Sequence, residues 1–232
     1  MGKESVTIKK KILVVEDHPI FRLGLTELIN QENEFIAVGD ARDVEPAIEE
    51  INRLTPDLII ADIGLHDSDG LDLVAFAAKH HPDIPVLVLS MYDEYLYAQR
   101  ALQAGAKGYI MKQEAMESVV SAIHHVLKGH IWLNEDLKDH FLSNMSNLSD
   151  ISRNPPIDQL TDRELQVFKM MGRGLSSREI ATQLFLSIKT IGTYRERIKT
   201  KLSLKHSNDL VRCAVHFEKT GQIETRPDQL PR

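Results

Sequence analysis

The 232-residue sequence holds a single cysteine, Cys213, so neither an intramolecular disulfide nor a cysteine-based metal cluster can form within the chain. Val211, Ala214 and Val215 surround it, the setting of a buried structural thiol rather than a nucleophile. Long apolar runs are also missing: none approaches the roughly 18 residues that span a bilayer. The opening MGKESVTIKKK runs straight into ILVV. That run is too short for a signal-peptide core and no small-residue cleavage site follows, so retention in the cytoplasm is expected. With 42% hydrophobic and 27% charged residues, the composition excludes collagen-like, mucin-like and disordered classes for the bulk of the chain.

Charge is unevenly placed. Residues 1–130 hold 12 Lys+Arg against 21 Asp+Glu, whereas residues 155–220 hold 12 against 7. An acidic first part followed by a short basic unit suggests two jobs, and the basic unit suits phosphate backbones. A solvated surface that happens to be basic is the plain alternative.

Five short apolar runs, 12–15, 35–38, 58–61, 86–89 and 108–110, recur in the first 110 residues. Stretches with helical spacing separate them: Leu25, Leu28 and Ile29; Val44, Ala47, Ile48 and Ile51; Leu71, Val74 and Ala78; Ala98, Ala101 and Leu102. A fifth, Met116, Val119, Val120, Ile123, Val126 and Leu127, follows. Strand and helix alternating five times predict an α/β domain over 9–130, a five-stranded doubly wound parallel sheet with helices on both faces. Residues 143–156, SNMSNLSDISRNPP, have linker composition. The stretch 131–142 carries the only Trp and suits packing on either side, and 131–156 is taken as the linker. Residues 157–220 read as a small all-α unit of four helices. Thr161 with Glu164, and Ser176 or Ser177 with Glu179, form capping boxes; Ser187 caps the third helix, and Ser207 or Asn208 the fourth.

Ligands of open parallel sheets bind at the carboxyl ends of the strands. Strand 1 runs into Glu16 and Asp17, strand 3 into Asp62, strand 4 into Ser90, and strand 5 ends close to Lys112. A lone Asp after a strand reads most simply as a helix cap; the set together fits one chemistry. Clustered carboxylates repel unless a cation is present, and oxygen ligands favour Mg²⁺. An aspartate can attack phosphorus to give an aspartyl phosphate, with metal and lysine neutralising the transferring group.

The EDH after strand 1, DIGLHDSDG after strand 3, LVLS on strand 4 and GYIMK at strand 5 resemble the receiver domain of bacterial two-component response regulators. The resemblance implies that Asp62 is the phospho-acceptor. It makes Glu16 and Asp17 the acidic pair that holds Mg²⁺, with the backbone carbonyl of Gly64 as a further ligand. Ser90 becomes the switch hydroxyl, Tyr109 the switch aromatic and Lys112 the phosphate-contacting lysine. Leu65-His66 replaces a common Met-Pro, which loosens the loop, and His66 reads as a surface loop histidine. Gln113 stands where a proline is frequent, so a cis peptide there is not expected.

In the basic unit, SREIATQL, a turn at Phe185-Leu186-Ser187 and a longer basic helix fit a helix-turn-helix. Ile191, Ile198 and Leu202 share one face, with Tyr194 at its flank. Lys189, Thr193, Glu196 and Thr200 share the opposite face, flanked by Arg195, Arg197, Lys199 and Lys201. A helical docking domain with a solvated basic face is the competing reading. LTDRE, Gly174, EIA at 179–181, SIKTI at 187–191 and KL at 201–202 resemble the LuxR-type helix-turn-helix of the NarL/FixJ subfamily. The resemblance implies contact with double-stranded DNA by Lys189, Thr190, Gly192, Thr193, Arg195, Glu196, Arg197 and Lys201. Tyr194 replaces a usual His, and Gly192 replaces a position that normally carries a side chain.

Together these features predict a DNA-binding transcriptional response regulator, not an enzyme. It is phosphorylated on Asp62 from a sensor histidine kinase and acts as a homodimer on DNA. Two rivals remain. A dehalogenase-type phosphatase needs a D-x-D after strand 1, which Glu16-Asp17-His18 lacks. A receiver-like module that regulates DNA binding without phosphorylation would not need the intact acidic set.

Overall fold

The computed structural model describes residues 8–65, 68–91, 95–145, 157–221 and 223. The chain divides into two compact units, Met1–Ser146 and Asn147–Arg232. In the first unit, strands β1 (Lys10–Val15), β2 (Phe35–Ala41), β3 (Leu58–Asp62), β4 (Val86–Ser90) and β5 (Gly108–Met111) alternate with five helices. These are α1 (Pro19–Gln31), α2 (Val44–Leu54), α3 (Gly70–His80), α4 (Tyr95–Ala104) and α5 (Lys112–Leu127). All strands are parallel, in the order β2-β1-β3-β4-β5. β3, β4 and β5 are buried along their whole length. This burial on both faces is why their sequences are continuous apolar runs rather than alternating patterns. One core layer packs Ile12, Val14, Leu58, Ile60, Leu87 and Leu89 against Leu25 and Ile29 of α1 and Val119 and Ile123 of α5.

Strand order reverses between β1 and β3, which opens a crevice at their carboxyl ends. Local devices hold that edge in place. Asp43 and Asp69 cap α2 and α3, each carboxylate accepting a backbone N–H of the first turn. Gly70 opens α3 against the end of β3. A Cβ at Gly70 would overlap the Asp62 carbonyl oxygen and the Ile63 Cα, so only glycine lets the helix start there.

The stretch 131–156 is not linker throughout. Trp132 adds to the edge of β5: its N–H donates to the Lys107 carbonyl at 3.0 Å and its carbonyl accepts from Tyr109 N–H at 2.9 Å. Helix α6 (Glu135–Met145) follows, with Asn134 accepting the Leu137 N–H. Leu133 and Leu137 are buried, and Tyr95 of α4 lies 4.5 Å from the Phe141 ring. An exposed sheet edge and a capped helix with a few well-spaced apolar residues gave this segment a place on the first unit, despite its polar composition.

The second unit starts with a 3-10 turn at Ile157–Gln159 and continues through α7 (Asp162–Gly172), α8 (Ser177–Gln183), α9 (Ile188–Lys201) and α10 (Ser207–Thr220). Thr161 and Ser176 form capping boxes with Glu164 and Glu179, and the Ser187 hydroxyl accepts the Thr190 N–H. The fourth cap differs from expectation. His206 holds the position, because the buried Asp209 carboxylate one turn on takes its N–H. Phe168, Ile180, Ile191, Ile198, Leu210 and Cys213 are buried in the unit.

Candidate functional site

β1 delivers Glu16, fully buried, to the crevice; Asp17 follows, partly exposed. β3 ends on Asp62, β4 on Ser90, and α5 begins on Lys112, all of them buried. Lys112 comes from 96 residues further along the chain than Glu16, yet its Nζ donates to Glu16 Oε1 at 2.9 Å and to Asp62 Oδ2 at 2.7 Å. The remaining Asp62 oxygen, Oδ1, accepts the Gly64 N–H at 2.8 Å. One ligand atom from each of Glu16, Asp17, His18 and Asp62 lies within 4.8 Å of the others. Tyr109 is buried in β5. The expected set of Glu16, Asp17, Asp62, Gly64 and Lys112 is therefore one pocket, with Ser90 and Tyr109 on the neighbouring strands.

The electrostatics follow from burial. Loss of water and the adjacent Asp62 charge push the Glu16 carboxyl up, and Lys112 only partly offsets this. Burial works against the Lys112 charge, but the Asp62 and Glu16 carboxylates outweigh it and raise the ammonium above its ordinary value. The pocket thus concentrates negative charge that a single ammonium balances incompletely, and its donors are hard oxygens. That chemistry suits a divalent cation.

Two residues of this neighbourhood were not singled out from the sequence. Arg22, buried in α1, donates from Nη1 to the Glu16 carbonyl at 2.7 Å and pairs through Nε with Asp40 at 2.7 Å, bracing the loop after β1. Its signal was a charge in register with Leu25 and Ile29 on the buried stripe. His18 places Nδ1 2.8 Å from Glu16 Oε1 and 2.7 Å from Asp17 Oδ1. Its position directly after the acidic pair was visible in the sequence. His66 lies outside the described residues. Among the described residues there is no cis peptide bond, and Gln113 lies in the first turn of α5.

In the second unit α8, a tight turn and α9 form a helix-turn-helix. Phe185 makes the turn at φ 54°, a left-handed conformation, and is fully turned out to solvent. Ile191, Ile198 and Leu202 anchor α9 to the core. Lys189, Thr193, Glu196 and Arg197 are exposed along its outer side. Thr193 donates its hydroxyl to the Lys189 carbonyl, the Thr190 and Ser187 hydroxyls are paired, and Glu196 pairs with Lys199 at 2.6 Å. Nothing lies within 4 Å of where a Gly192 Cβ would be. Two of the expected DNA contacts, both partly exposed, have side-chain partners within the unit. Arg195 donates to the Ser177 hydroxyl at 3.2 Å, bracing α8 against α9. Lys201 sits 2.6 Å from Glu164, a carboxylate buried by its own capping box that draws the nearest cation.

The geometry defines a two-part protein: a flavodoxin-like α/β unit with an acidic, lysine-bridged pocket, and a helix-turn-helix unit. Residues 12–124 match the response regulator receiver domain, and residues 158–214 match the bacterial regulatory proteins of the luxR family. The oxygen regulatory protein NreC of Staphylococcus aureus is 32% identical over 210 residues, spanning 88% of this chain and 96% of that protein. A two-component response regulator of the LuxR family from Aurantimonas sp. SI85-9A1 is similar over 60% of this chain and 99% of its own, at 26% identity and a TM-score of 0.56. A structure of two RcsB dimers bound to two parallel DNAs matches over 88% of this chain and 96% of its own; at 24% identity and a TM-score of 0.53 it speaks to the fold alone. The chain belongs to the LuxR-type two-component response regulators, a receiver domain joined to a DNA-binding domain that regulates transcription.

Proposed function

We infer that this protein is switched by phosphorylation of Asp62 and reads double-stranded DNA with α9. The observation that carries this reading is the convergence of Glu16, Asp62 and Lys112 in one buried pocket at the carboxyl ends of β1 and β3. A sensor histidine kinase is the phosphodonor. An Asp62 oxygen attacks phosphorus, the P–N bond of the phosphohistidine breaks, and the departing ring nitrogen keeps the electron pair and takes a proton. Lys112 already bonds the nucleophilic carboxylate and is placed to hold a phosphoryl oxygen once the acyl phosphate forms. Glu16, Asp17 and the Gly64 carbonyl would hold Mg²⁺, whose charge offsets that of the phosphoryl group. Ser90, at the end of the adjoining strand, bonds the phosphoryl group, and Tyr109 transmits its arrival.

Lys189, Gly192, Thr193 and Glu196 form the base-facing side of α9, with Arg197 on the phosphates. A single unit of this size covers little DNA, so a homodimer binds inverted half-sites about 10 bp apart. With DNA as its partner, the protein works in the cytoplasm.

The test is labelling of the full chain by acetyl phosphate with Mg²⁺. Wild type should gain a hydroxylamine-labile phosphoryl group on Asp62, and Asp62→Asn should not. Equal labelling of Asp62→Asn would place the acceptor elsewhere.

A further inference from the structure

Helices of the second unit end in a repeated way. After α7, the Gly174 N–H donates to the Met171 carbonyl at 3.0 Å and the Leu175 N–H to the Met170 carbonyl at 3.1 Å, with Gly174 at φ 87°. After α9, Ser203 and Leu204 repeat the pair on Thr200 and Lys199, with Ser203 at φ 55°. This closure satisfies the last carbonyls of a helix and needs a left-handed residue just past the cap, which favours glycine. After α8 the same bonds run from the Phe185 N–H to Thr182 at 3.4 Å and from the Leu186 N–H to Ala181 at 2.9 Å, and the left-handed residue is Phe185 at φ 54°. For a bulky side chain this conformation is strained. Burial does not offset the strain: Phe185 is 89% exposed, so folding removes almost none of its ring from water. Strain and an exposed ring at one position point to a use outside the folded unit. A second such side chain follows closely. Ile188, the first residue of α9, is 51% exposed, and among the described residues of this unit these two are the most exposed large apolar side chains. Ile188, Gly192 and Glu196 fall at i, i+4 and i+8, a single row along α9. Nothing lies within 4 Å of a Cβ at Gly192, so the row is clear next to Ile188. Phe185 and Ile188 thus carry the outward side of α9 to its N-terminal end, where a helix-turn-helix places the residues that meet base edges.

Given α9 as the helix that reads DNA, on which this step rests, we propose that Phe185 and Ile188 grip a thymine C5 methyl of the operator and are specificity-determining residues. The thymine methyl is the apolar group that base edges offer in the major groove. Contact with it removes both side chains from water only on DNA, and that gain offsets the strain that Phe185 carries in the free protein. A basic side chain at either position would add affinity for every sequence. An apolar one separates thymine from cytosine, which has no methyl there.

The experiment uses the full chain treated with acetyl phosphate and Mg²⁺, an operator duplex that it selects from random sequence, and a scrambled duplex, all at one fixed salt concentration. Thymines of the operator are replaced one at a time by deoxyuridine, which removes the methyl and keeps the pairing. At one position wild type should lose about fivefold in affinity. Phe185→Asn and Ile188→Ala should bind the parent operator about fivefold more weakly and be insensitive to that same replacement. Binding to the scrambled duplex should stay unchanged. Phe185→Asn should melt at a higher temperature, since asparagine tolerates the left-handed turn. Wild type insensitive to every replacement, variants as sensitive as wild type at the same thymine, or a lower melting temperature for Phe185→Asn overturns the assignment. Unchanged operator affinity in both variants would place the pair against a protein partner and overturns it equally. Lys189→Ala and Glu196→Ala test the underlying reading. If both keep full operator affinity, α9 does not read DNA and the thymine contact fails with it. If they lose affinity while the Phe185 and Ile188 variants do not, only the thymine contact fails.

Discussion

Removing the Lys112 ammonium is the most informative perturbation of the pocket. Its side chain is 5% exposed and bonds two carboxylates that are themselves 0% and 3% exposed. Lys112→Met keeps most of the volume and deletes the charge, stranding Glu16 and Asp62 together without a counter-ion. Breaking one partner out of a buried ion cluster costs about 3–5 kcal/mol. The cost depends on pH in a fixed direction. A carboxyl raised in the folded state stabilises below its unfolded value and loses that contribution as pH rises through the folded value. Burial and Asp62 already raise Glu16 with Lys112 in place, so without the lysine it is raised further. The variant should therefore approach the stability of the wild type around pH 4, where the raised Glu16 carboxyl carries its proton. It should fall behind progressively and lag by about 3–5 kcal/mol near pH 7.5. Lys112 is itself raised, so in wild type the lysine contribution persists throughout this range and is lost only in strong alkali. Trp132, the only tryptophan, sits on the edge of β5 and reports unfolding of this unit in urea. Added Mg²⁺ should recover more stability in Lys112→Met than in wild type, because the ion substitutes for the missing charge. A stability gap that is constant from pH 4 to 7.5, or smaller than about 1 kcal/mol at the upper end, would refute the assignment of Lys112 as counter-ion to a buried pair.

Other outcomes follow from single positions. Gly192→Ala should stabilise α9 by about 1 kcal/mol, since a Cβ there meets open space. It should weaken binding to a selected operator by roughly 1–3 kcal/mol without altering the salt slope on a scrambled duplex, measured by parallel titrations at fixed salt. Gly70→Ala should destabilise the first unit by more than the roughly 1 kcal/mol of an ordinary helical substitution, because its methyl meets the Asp62 and Ile63 backbone; urea unfolding followed at Trp132 measures this. A chain that starts near Pro155 lacks Asp62 and should bind DNA with the same affinity with and without acetyl phosphate; a gain in its affinity on treatment would place the acceptor elsewhere.

The alternation of strands and helices was legible because β3, β4 and β5 lie wholly inside the sheet and their burial leaves an unbroken apolar run. Glu16, Asp62 and Ser90 were legible for a related reason: parallel strands all end at one edge, so the residue at or after each end is automatically a neighbour of the others. What stayed hidden needed contacts that sequence spacing does not encode. Trp132 stands in an apolar run of only three residues, Ile131 to Leu133, and its place on the β5 edge depends on backbone hydrogen bonds that any residue could make. The His206 cap depends on Asp209 reaching back, not on the usual side chain at the cap itself. Lys201 lay on the flank of the outward stripe of α9, and only the fold shows that the buried Glu164, 37 residues earlier, draws it in. Arg22 was hidden because a cation on a buried helical stripe breaks the pattern being read; its partners, the Glu16 carbonyl and Asp40, come from two different strand ends.

In the proposed function, a phosphoryl group on Asp62 controls what α9 does to DNA. The most direct measurement is the affinity of the full chain for a selected operator duplex, at one fixed salt concentration, before and after treatment with acetyl phosphate and divalent metal. It is made on wild type and on Asp62→Asn side by side. At least a tenfold gain in affinity is expected for the wild type, about 1.4 kcal/mol, and no gain for Asp62→Asn. Wild-type affinity that is the same with and without a phosphoryl group on Asp62 would contradict it.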